Sequence, residues 1–288
     1  MIARKHPEWI KVRAPGSPEY LRTKDLVREL NLHTVCEEAR CPNIGECFSH
    51  RTATIMLMGD VCTRNCPYCA VAHGKVKPLD PAEPLRVAAA VKRLGLSHLV
   101  VTSVDRDDLE DGGASHFAAT ARAVKALMPT TRVEVLTPDF KGVQESIEIV
   151  VKAPIDVFNH NTETVPRLYR TARPGGKYDR ALAVLEHAKR TARVYRDDEV
   201  LTKSGLMLGL GESFEELLAV LQDLRAVECD ILTLGQYLRP SANHLPVARY
   251  VTPQEFTELR QRGLEMGFRH VESGPLVRSS YHAWEHVS

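Results

Sequence analysis

Three cysteines, Cys62, Cys66 and Cys69, lie within eight residues in the spacing C-x3-C-x2-C. They follow an apolar run at 54–58 that is typical of a buried strand, so we expect the thiols to meet on a loop at its end. Thiolates suit soft metal centres, including iron–sulfur clusters. Three thiolates leave one iron of a cubane cluster without a protein ligand, and that iron can hold a substrate. These three residues are called the strand-end triplet below.

The main alternative for the strand-end triplet is a structural zinc site. Zinc ribbons favour paired C-x2-C knuckles and four protein ligands, whereas this stretch has no fourth ligand nearby. The spacing, with Tyr68 directly before Cys69, is similar to the signature of the radical S-adenosylmethionine (SAM) superfamily. We therefore favour an iron–sulfur cluster.

A second set of cysteines, the N-terminal triplet, consists of Cys36, Cys41 and Cys47 in the spacing C-x4-C-x5-C. Pro42 and Gly45 break regular structure, which predicts a turning loop that wraps an ion. Taken alone, this triplet fits zinc and an iron–sulfur cluster equally well. The two different spacings indicate two separate clusters.

The composition is that of an ordinary globular protein. The 288 residues are 43% hydrophobic with a formal net charge of +1, which does not favour nucleic acid or an anionic membrane as partner. No apolar run approaches the roughly 18 residues of a membrane span, and the N-terminus lacks a secretory signal's apolar core. We therefore expect a cytoplasmic monomer whose clustered cysteines bind metal rather than form disulfides. Cys229, which stands alone, is expected in the core.

Strand-like and helix-like stretches alternate from residue 54 onward. Apolar runs rich in β-branched residues predict strands at 54–58, 98–104, 132–137, 155–159, 204–210, 231–236 and 268–272. Helices are predicted between them at 81–94, 115–128, 140–152, 179–192, 213–226 and 253–266, with another at 17–32. This alternation predicts an α/β fold with parallel βαβ units, a partial (β/α)6-type TIM-like barrel over 54–273. Residues 1–53 and 274–288 are then extensions that cap the barrel mouth.

Helix-boundary signals support this assignment. A capping residue followed three positions later by glutamate predicts helix starts, and glycine predicts helix ends at Gly95 and Gly267. The predicted capping pairs are Asp80 with Glu83, Ser213 with Glu216, and Thr252 with Glu255.

In such a barrel the chemistry lies at the carboxyl ends of the strands, and polar stretches follow the strands at 103–113, 137–139, 159–164, 209–212 and 236–240. The aspartates at 105–111 also fit a solvated loop or a Mg²⁺ or Ca²⁺ site. His160 is a candidate acid or base, although a packed structural histidine is the simpler interpretation. Arg170, Arg173 and Lys177 fit either an anion site or a surface loop.

These stretches together resemble the lipoyl synthase family of the radical SAM superfamily, from about residue 8 to residue 283. The most specific matches are the two triplets with their flanks at 33–39 and 71–74, followed by 102–108, 163–169, 203–212 and the terminal Arg-Ser-Ser-Tyr at 278–281. Thr162 departs from the family pattern, in which an aliphatic residue is expected.

The resemblance implies SAM and two [4Fe–4S] clusters as cofactors. The strand-end triplet would hold the cluster whose open iron chelates SAM, and the N-terminal triplet would hold an auxiliary cluster. A serine of the Arg-Ser-Ser-Tyr motif would be the fourth auxiliary ligand, Ser280 slightly in preference to Ser279. Arg278 is expected to hold the tail over this site. Eight residues are expected to contact SAM: Tyr68, Asp105, Asp107, Asp108, Asn161, Glu163, Lys203 and Glu212.

The resemblance also implies the reaction. A 5′-deoxyadenosyl radical made from SAM would remove hydrogen from an octanoyl chain amide-linked to a lysine of a lipoyl-carrier domain. The auxiliary cluster would be consumed as sulfur donor, so that sulfur is inserted at C6 and C8. The expected partners are octanoylated carrier domains of 2-oxoacid dehydrogenase complexes or the glycine cleavage H protein, with flavodoxin or ferredoxin as electron donor.

Two other functions compete with this interpretation. One is a zinc-stabilised binding module without catalysis. The other is a different radical SAM enzyme, such as another sulfur-inserting or methylthio-transferring one, but the N-terminal triplet combined with the terminal Arg-Ser-Ser-Tyr argues against it.

Overall fold

Strands and helices alternate around one mostly parallel sheet in the computed structural model, which describes residues 6–12, 15–49 and 53–285, apart from the side chain of Trp284. The strands in these ranges are β1 His33–Thr34, β2 Thr54–Leu57, β3 Val61–Cys62, β4 Ala72–His73, β5 His98–Ser103, β6 Arg132–Leu136, β7 Val157–Asn159, β8 Leu201–Leu208, β9 Ile231–Gln236 and β10 His270–Gly274. The main sheet has the order β1-β2-β5-β6-β7-β8-β9-β10, and β3 pairs with β4 separately.

From β2 onward, helices connect the successive strands of the main sheet, and three further helices precede β2 in the described residues. They are α1 Pro18–Glu29, α2 Val35–Glu38, α3 Ile44–Ser49, α4 Glu83–Leu94, α5 Ala114–Leu127, α6 Gln144–Val151, α7 Tyr169–Ala172, α8 Tyr178–Tyr195, α9 Phe214–Ala226 and α10 Pro253–Glu265. In the main sheet, β2, β5, β6, β7, β8, β9 and β10 pair in parallel. A helix of at least eight residues lies between each of these strands and the next. In the described part of the chain, β1 and β10 are the two edges of an open sheet. The predicted partial (β/α)6-type barrel is confirmed.

Helix α9 shows how local sequence produces a helix that packs on the sheet. Ser213 and Glu216 form a capping box that satisfies backbone N–H groups at the helix start. Leu217, Leu221 and Leu224 then recur on one face and are buried. Fully burying one such leucine contributes roughly 1.5–3 kcal/mol to the free energy of folding.

The capping prediction is wrong for Asp80. Helix α4 begins at Glu83 with Ala82 as N-cap, and Asp80 accepts a hydrogen bond from the Ala82 backbone N–H instead. Glu83 turns inward, where it accepts from the Met58 backbone N–H at 2.9 Å and pairs with His116 at 2.6 Å. The other predicted box, Thr252 with Glu255 in helix α10, is present, as are left-handed glycines at 95 and 267.

The expectation of a turning loop for the N-terminal triplet holds for Cys41 and Pro42, which lie between two short helices, but is wrong for the other two thiols. Cys36 lies in helix α2 and Cys47 in helix α3, and Gly45 is itself helical. The two helices are short, and Thr34 caps the first by accepting from the Glu37 N–H at 3.3 Å. Hydrophobic periodicity cannot predict helices of four and six residues, because too few residues repeat on one face.

Both extensions pack on the barrel. Strand β1 pairs antiparallel with β2, which adds the N-terminal extension to the sheet edge. The C-terminal tail, residues 275–285, crosses Gly235 of β9 so closely that a Cβ there would overlap the Val277 carbonyl and lie 2.9 Å from its carbon. The boundaries 1–53, 54–273 and 274–288 stay a prediction. No helix in the described residues has both the length and the apolar character to cross a membrane.

Candidate active site

The strand-end triplet starts at the end of β3, where backbone N–H groups surround the first sulfur. The Arg64 and Asp105 backbone N–H groups donate to Cys62 Sγ at 3.4 and 3.3 Å. The Cys62 thiol also lies 3.7 Å from Asp105 Oδ2. Burial raises the pKa of this thiol, and the neighbouring Asp105 carboxylate raises it further. Both effects favour the neutral thiol.

Arg64 ties the cysteine loop to two other strand ends. Its guanidinium donates to both oxygens of Asp107, at 2.7 and 2.9 Å, and to Asp139 at 2.7 Å. The side chain is 8% exposed and that of Asp139 is 2% exposed. Burial by itself would raise the pKa of Asp139, but the Arg64 hydrogen bonds lower it to about 2. The loops after β5 and β6 thus hold the loop between Cys62 and Cys66.

The other two thiols sit on a turn that the segment after β9 holds in place. Cys69 N–H donates to the Cys66 carbonyl at 2.9 Å. The Cys69 carbonyl lies 3.0 Å from His244 Nε2, and the Leu245 N–H donates to the Pro67 carbonyl at 3.0 Å. Burial raises the pKa of Cys66 to about 11 and of Cys69 to about 12, with the other two cysteine charges adding to the rise at Cys69. The three thiols therefore lie close together.

Arg173, Glu163 and Asn161 form the neighbouring wall of the site. The Arg173 guanidinium is buried and donates to the Asn161 carbonyl at 2.7 Å. Burial raises the pKa of Glu163, which the Arg173 charge partly offsets. Both Glu163 and Arg173 also act electrostatically on Tyr68 and Cys66, so these groups face the strand-end triplet.

Glu163 has a left-handed backbone conformation, with φ at +69°. A non-glycine residue in this region stores about 1–3 kcal/mol of strain, which is most often found at functional sites. Backbone hydrogen bonds to Gly205 and Met207 hold the conformation at 2.9 Å each. The adjacent Thr162, the departure from the family pattern, is fully buried with its hydroxyl 3.4 Å from Ser204 Oγ. This hydroxyl therefore has a protein partner.

The N-terminal triplet lines a pocket together with the C-terminal tail. The tail residues in the lining are Arg278, Ser280 and Tyr281, and the barrel contributes Thr54. Thr54 Oγ1 donates to Ser280 Oγ at 2.7 Å. Ser279 is absent from this lining among the described residues, because its Oγ lies 2.7 Å from Asn161 Nδ2 instead.

Charge and hydrogen bonds join the tail to the triplet. Arg278 is close enough to Cys41 to lower the pKa of that thiol, although burial raises it by more. The Asn43 side chain donates to the Leu276 carbonyl at 2.7 Å, and Tyr281 donates to Glu46 at 3.2 Å. Burial raises the pKa of Cys36 strongly and that of Cys47 to about 12. The predicted placement of Arg278 beside this pocket agrees with the geometry.

Four of the predicted SAM contacts bind other protein groups. Asp107 pairs with Arg64, and Asp108 with Arg106 at 2.8 Å. Both oxygens of Glu212 accept from the N–H groups of Gly209 and Leu210 in its own loop. Lys203 is fully buried, and its Nζ donates to both Glu134 oxygens at 2.8 and 3.0 Å. The remaining predicted contacts, Tyr68, Asp105, Asn161 and Glu163, lie beside the strand-end triplet.

The donor set fits iron–sulfur clusters and a polar ligand. Each triplet gathers three free thiols, the soft donors that iron–sulfur clusters require. In the described residues, no group of three or more His, Cys, Asp or Glu side chains is arranged to hold a metal ion, so the fit rests on the type and number of the donors. At the strand ends, Ser103 Oγ, His160 Nε2 and Thr164 Oγ1 are buried without a hydrogen-bond partner in the described chain. A polar ligand such as SAM would supply such partners.

Two family models match the chain. That of the radical SAM superfamily matches residues 56–224, and that of the N-terminal domain of lipoyl synthase matches residues 2–41. A lipoyl synthase from Rubrobacter xylanophilus is 60% identical over 279 residues, which cover 97% of this chain and 85% of that protein. The chain belongs to the lipoyl synthase family. It is therefore a radical SAM enzyme that transfers sulfur, with SAM and [4Fe–4S] clusters as cofactors.

Further lipoyl synthases show the same extent of similarity. The protein from Dichelobacter nodosus is 55% identical, with coverage of 97% of this chain and 85% of that protein. The protein from Roseiflexus sp. is 56% identical, with coverage of 99% and 93%. The family, activity and cofactors predicted from the sequence are confirmed.

Solved structures show the fold. The FeFe-hydrogenase maturase HydG from Carboxydothermus hydrogenoformans has a TM-score of 0.57 at 17% identity, with coverage of 81% of this chain and 64% of that chain. Methylornithine synthase PylB has a TM-score of 0.51 at 14% identity, with coverage of 87% and 81%.

Sequence reasoning missed several residues of the lipoyl synthase site. Arg64 lies between Cys62 and Cys66, and this position inside the motif indicates a residue of the site. Arg173 was predicted only as an anion-binding or surface residue alongside Arg170 and Lys177, but it is buried in the site whereas those two are exposed. Thr54 and His244 carry no sequence signal, because only the fold brings them to the triplets.

Proposed function

We propose that this chain inserts two sulfur atoms, at C6 and C8, into an octanoyl chain amide-linked to a lysine of a carrier protein. The observation that carries the proposal is the pair of separate thiol triplets, one on a strand-end loop and one in a pocket shared with the tail. Sulfur insertion needs a site that generates a radical and a source of sulfur, and the two triplets offer a place for each. Membership of the lipoyl synthase family supports the same reaction.

We assign the strand-end triplet to the cluster that binds SAM. Cluster and SAM together supply a radical that removes hydrogen from an unactivated carbon, which side-chain acids and bases cannot do. The chain holds the three thiols on one loop and directs the Arg64 and Asp105 N–H groups at the Cys62 sulfur. Hydrogen bonds to cluster sulfurs tune the reduction potential. Because burial raises the thiol pKa values, loading the site releases thiol protons.

We assign the N-terminal triplet, with Ser280 as fourth ligand, to the auxiliary cluster. Ser280 is preferred to Ser279 because it lines the pocket, whereas the Ser279 hydroxyl bonds to Asn161. A hydroxyl oxygen is a harder donor than thiolate and a poorer match for iron in a sulfide cluster. Ser280 is therefore the ligand most readily displaced when the cluster gives up sulfur.

We propose that Tyr68, Asp105, Asn161 and Glu163 contact SAM directly, because they lie beside the strand-end triplet. The other predicted contacts act through the loops and strands that they hold, since protein partners within 3.0 Å bind their charged groups: Asp107, Asp108, Lys203 and Glu212. Asp105, by contrast, pairs with Arg64 only at 3.5 Å. The Arg64 charge balances that of Asp107 and the Arg173 charge acts on Glu163, so these carboxylates have positive neighbours when solvent is excluded.

The substrate is a protein-bound octanoyl chain. We propose that its carriers are lipoyl-carrier domains of 2-oxoacid dehydrogenase complexes or the glycine cleavage H protein, and that flavodoxin or ferredoxin supplies electrons. We also propose that the enzyme acts as a cytoplasmic monomer. The N-terminal extension, barrel and tail divide at residues 53 and 273 in this scheme, since each triplet then belongs to one segment.

The test is anaerobic reconstitution with iron and sulfide, followed by SAM, dithionite and an octanoyl-lysine peptide. We expect about eight irons per chain, twice the count of a cubane, and a product with two added sulfurs. About four irons with SAM cleavage and no sulfur insertion would contradict the auxiliary assignment. Bound zinc without cleavage would contradict the whole proposal.

The division between the triplets has its own test. Cys41→Ala is expected to abolish sulfur insertion while SAM cleavage continues, because Cys41 lies in the tail pocket away from the strand-end loop. Cys229→Ala is the matched control, since Cys229 is fully buried near β9 and belongs to neither triplet. Loss of both SAM cleavage and insertion in the Cys41 variant would refute the division.

A further inference from the structure

Two adjacent serines of the tail point to different sites. The Tyr281 N–H donates to the Arg278 carbonyl at 2.9 Å, which closes a turn with Ser279 and Ser280 at its centre. Ser280 Oγ lies in the pocket of the N-terminal triplet and accepts from Thr54. Ser279 Oγ lies 2.7 Å from Nδ2 and 3.0 Å from Oδ1 of Asn161. One turn therefore touches both sites.

Asn161 belongs to the wall that faces the strand-end triplet. Its Nδ2 lies 3.1 Å from Glu163 Oε1, and its carbonyl accepts from Arg173. The residue is 9% exposed. Ser279 thus holds the Asn161 side-chain amide from the tail side and Glu163 holds it from the barrel, while Arg173 holds the Asn161 backbone carbonyl.

Strand β8 passes close to this contact. A Cβ at Gly205 would lie 2.5 Å from Thr233 Oγ1, 2.9 Å from Asn161 Oδ1 and 3.1 Å from Ser279 Oγ. All three distances are shorter than ordinary van der Waals contact, so a side chain at 205 would crowd the pair together with Thr233. The absence of a side chain there leaves room for the contact.

We propose that Ser279 is a positioning residue that holds Asn161 for SAM and couples the docking of the tail to SAM binding. The inference rests on the proposed function, in which Asn161 contacts SAM and Ser280 is the auxiliary ligand. Because Ser279 and Ser280 share one turn, placing Ser280 in its pocket also places Ser279 against Asn161. By linkage, SAM binding stabilises the docked tail as much as the docked tail favours SAM binding.

The experiment compares reconstituted wild-type holoenzyme with Ser279→Ala and Ser280→Ala. Equilibrium dialysis measures the Kd for SAM, iron and sulfide are counted, and limited proteolysis reports tail docking with and without SAM. We expect Ser279→Ala to retain about eight irons and to bind SAM about tenfold more weakly, because a buried amide loses its partner. SAM is expected to protect the tail from proteolysis in wild type but much less in this variant. Ser280→Ala is expected to lose sulfur insertion and to weaken SAM binding less than Ser279→Ala does, because Ser279 keeps its own hydrogen bond to Asn161.

The controls separate positioning from general damage. Ser273→Ala removes a hydroxyl of β10 that bonds only to the Phe256 carbonyl in the described structure, and it should leave the Kd for SAM unchanged. Gly205→Ala crowds Asn161, Ser279 and Thr233 without removing any of them, so it should weaken SAM binding and serves as the second variant if Ser279→Ala does not fold. A saturating-SAM cleavage rate close to wild type in Ser279→Ala is expected, since positioning acts on affinity.

Unchanged SAM affinity in both Ser279→Ala and Gly205→Ala would overturn the inference. So would a Ser279→Ala variant that loses the auxiliary iron together with a Ser280→Ala variant that retains it. Failure of the proposed function would look different, because wild type itself would then bind fewer irons or fail to insert sulfur.

Discussion

Replacement of Arg64 tests whether the cysteine loop is held by buried charge. In Arg64→Ala the Asp139 carboxylate, 2% exposed, loses its hydrogen bond of 2.7 Å. Removing one partner of a buried pair typically costs about 3–5 kcal/mol. Arg180 remains 3.2 Å from the other Asp139 oxygen, so the loss should lie at the lower end, near 3 kcal/mol. The pair with Asp107, whose side chain is 30% exposed, adds about 1 kcal/mol or less.

Urea unfolding of the apo chain under reducing, anaerobic conditions measures this loss. Arg64→Lys should lie between wild type and Arg64→Ala, because an ammonium cannot reproduce the paired hydrogen bonds to one carboxylate. The matched control is Arg93→Ala, which breaks an equally short two-point pair with Glu29 whose side chains are both exposed. Its effect should be small, since exposed ion pairs contribute little.

A double variant checks the electrostatic reasoning directly. Arg64→Ala combined with Asp139→Asn should be more stable than Arg64→Ala alone, because in Arg64→Ala the buried Asp139 charge keeps only Arg180, at 3.2 Å, as an ionic partner. The reasoning is refuted if Arg64→Ala unfolds at the same urea concentration as Arg93→Ala. It is also refuted if the double variant is the less stable one.

Three further variants test a buried histidine, the docking of the tail and an ion pair inside the barrel. Burial, and after it the Arg173 charge, lowers the pKa of His160 to about 3. Between that pH and about 6.5, the pKa in the unfolded chain, His160 gains a proton only on unfolding. Stability from this residue is present above pH 6.5 and falls as the pH drops towards 3, by about 1.4 kcal/mol between pH 7.5 and 5.5. Urea unfolding of His160→Gln should lack that part of the pH dependence, and an unchanged slope would contradict it. Gly235→Ala should displace the tail, so the iron content falls from about eight towards four. Gly274→Ala, whose Cβ would make an ordinary 3.4 Å contact, should keep its irons, and equal iron contents would refute the docking. Lys203→Met should destabilise the barrel by about 3–5 kcal/mol because Glu134 is left charged and buried, and Glu134→Gln in the same chain should recover most of that loss in urea unfolding. If the losses of stability in Lys203→Met and Glu134→Gln simply add in the double variant, the proposed coupling between Lys203 and Glu134 is wrong.

The barrel was predictable because its signals are local. Six strand–helix units repeat apolar runs and amphipathic helices, and the predicted strand 231–236 matches β9 residue for residue. Deviations occur where tertiary contacts override local pattern. Strand β8 starts at Leu201 rather than 204, since the Lys203 side chain, which reads as polar in sequence, is buried against Glu134. Glu83 reads as a capping residue, yet it serves Met58 and His116 instead.

The sequence by itself determined the chemistry available to this protein. Thiol type and spacing in the two triplets, the terminal Arg-Ser-Ser-Tyr and the alternating pattern were enough for family, cofactors and fold class, because ligand type and hydrophobic periodicity are properties of short stretches.

The tertiary structure alone decided how those groups combine. Ser279 and Ser280 are neighbours of similar chemistry, and nothing in their local sequence separates them. Their different partners, Asn161 on one side and Thr54 on the other, are 118 and 226 residues away along the chain. Contacts of that range depend on how the tail crosses the sheet, and this path is set by the packing of the whole barrel rather than by any one segment.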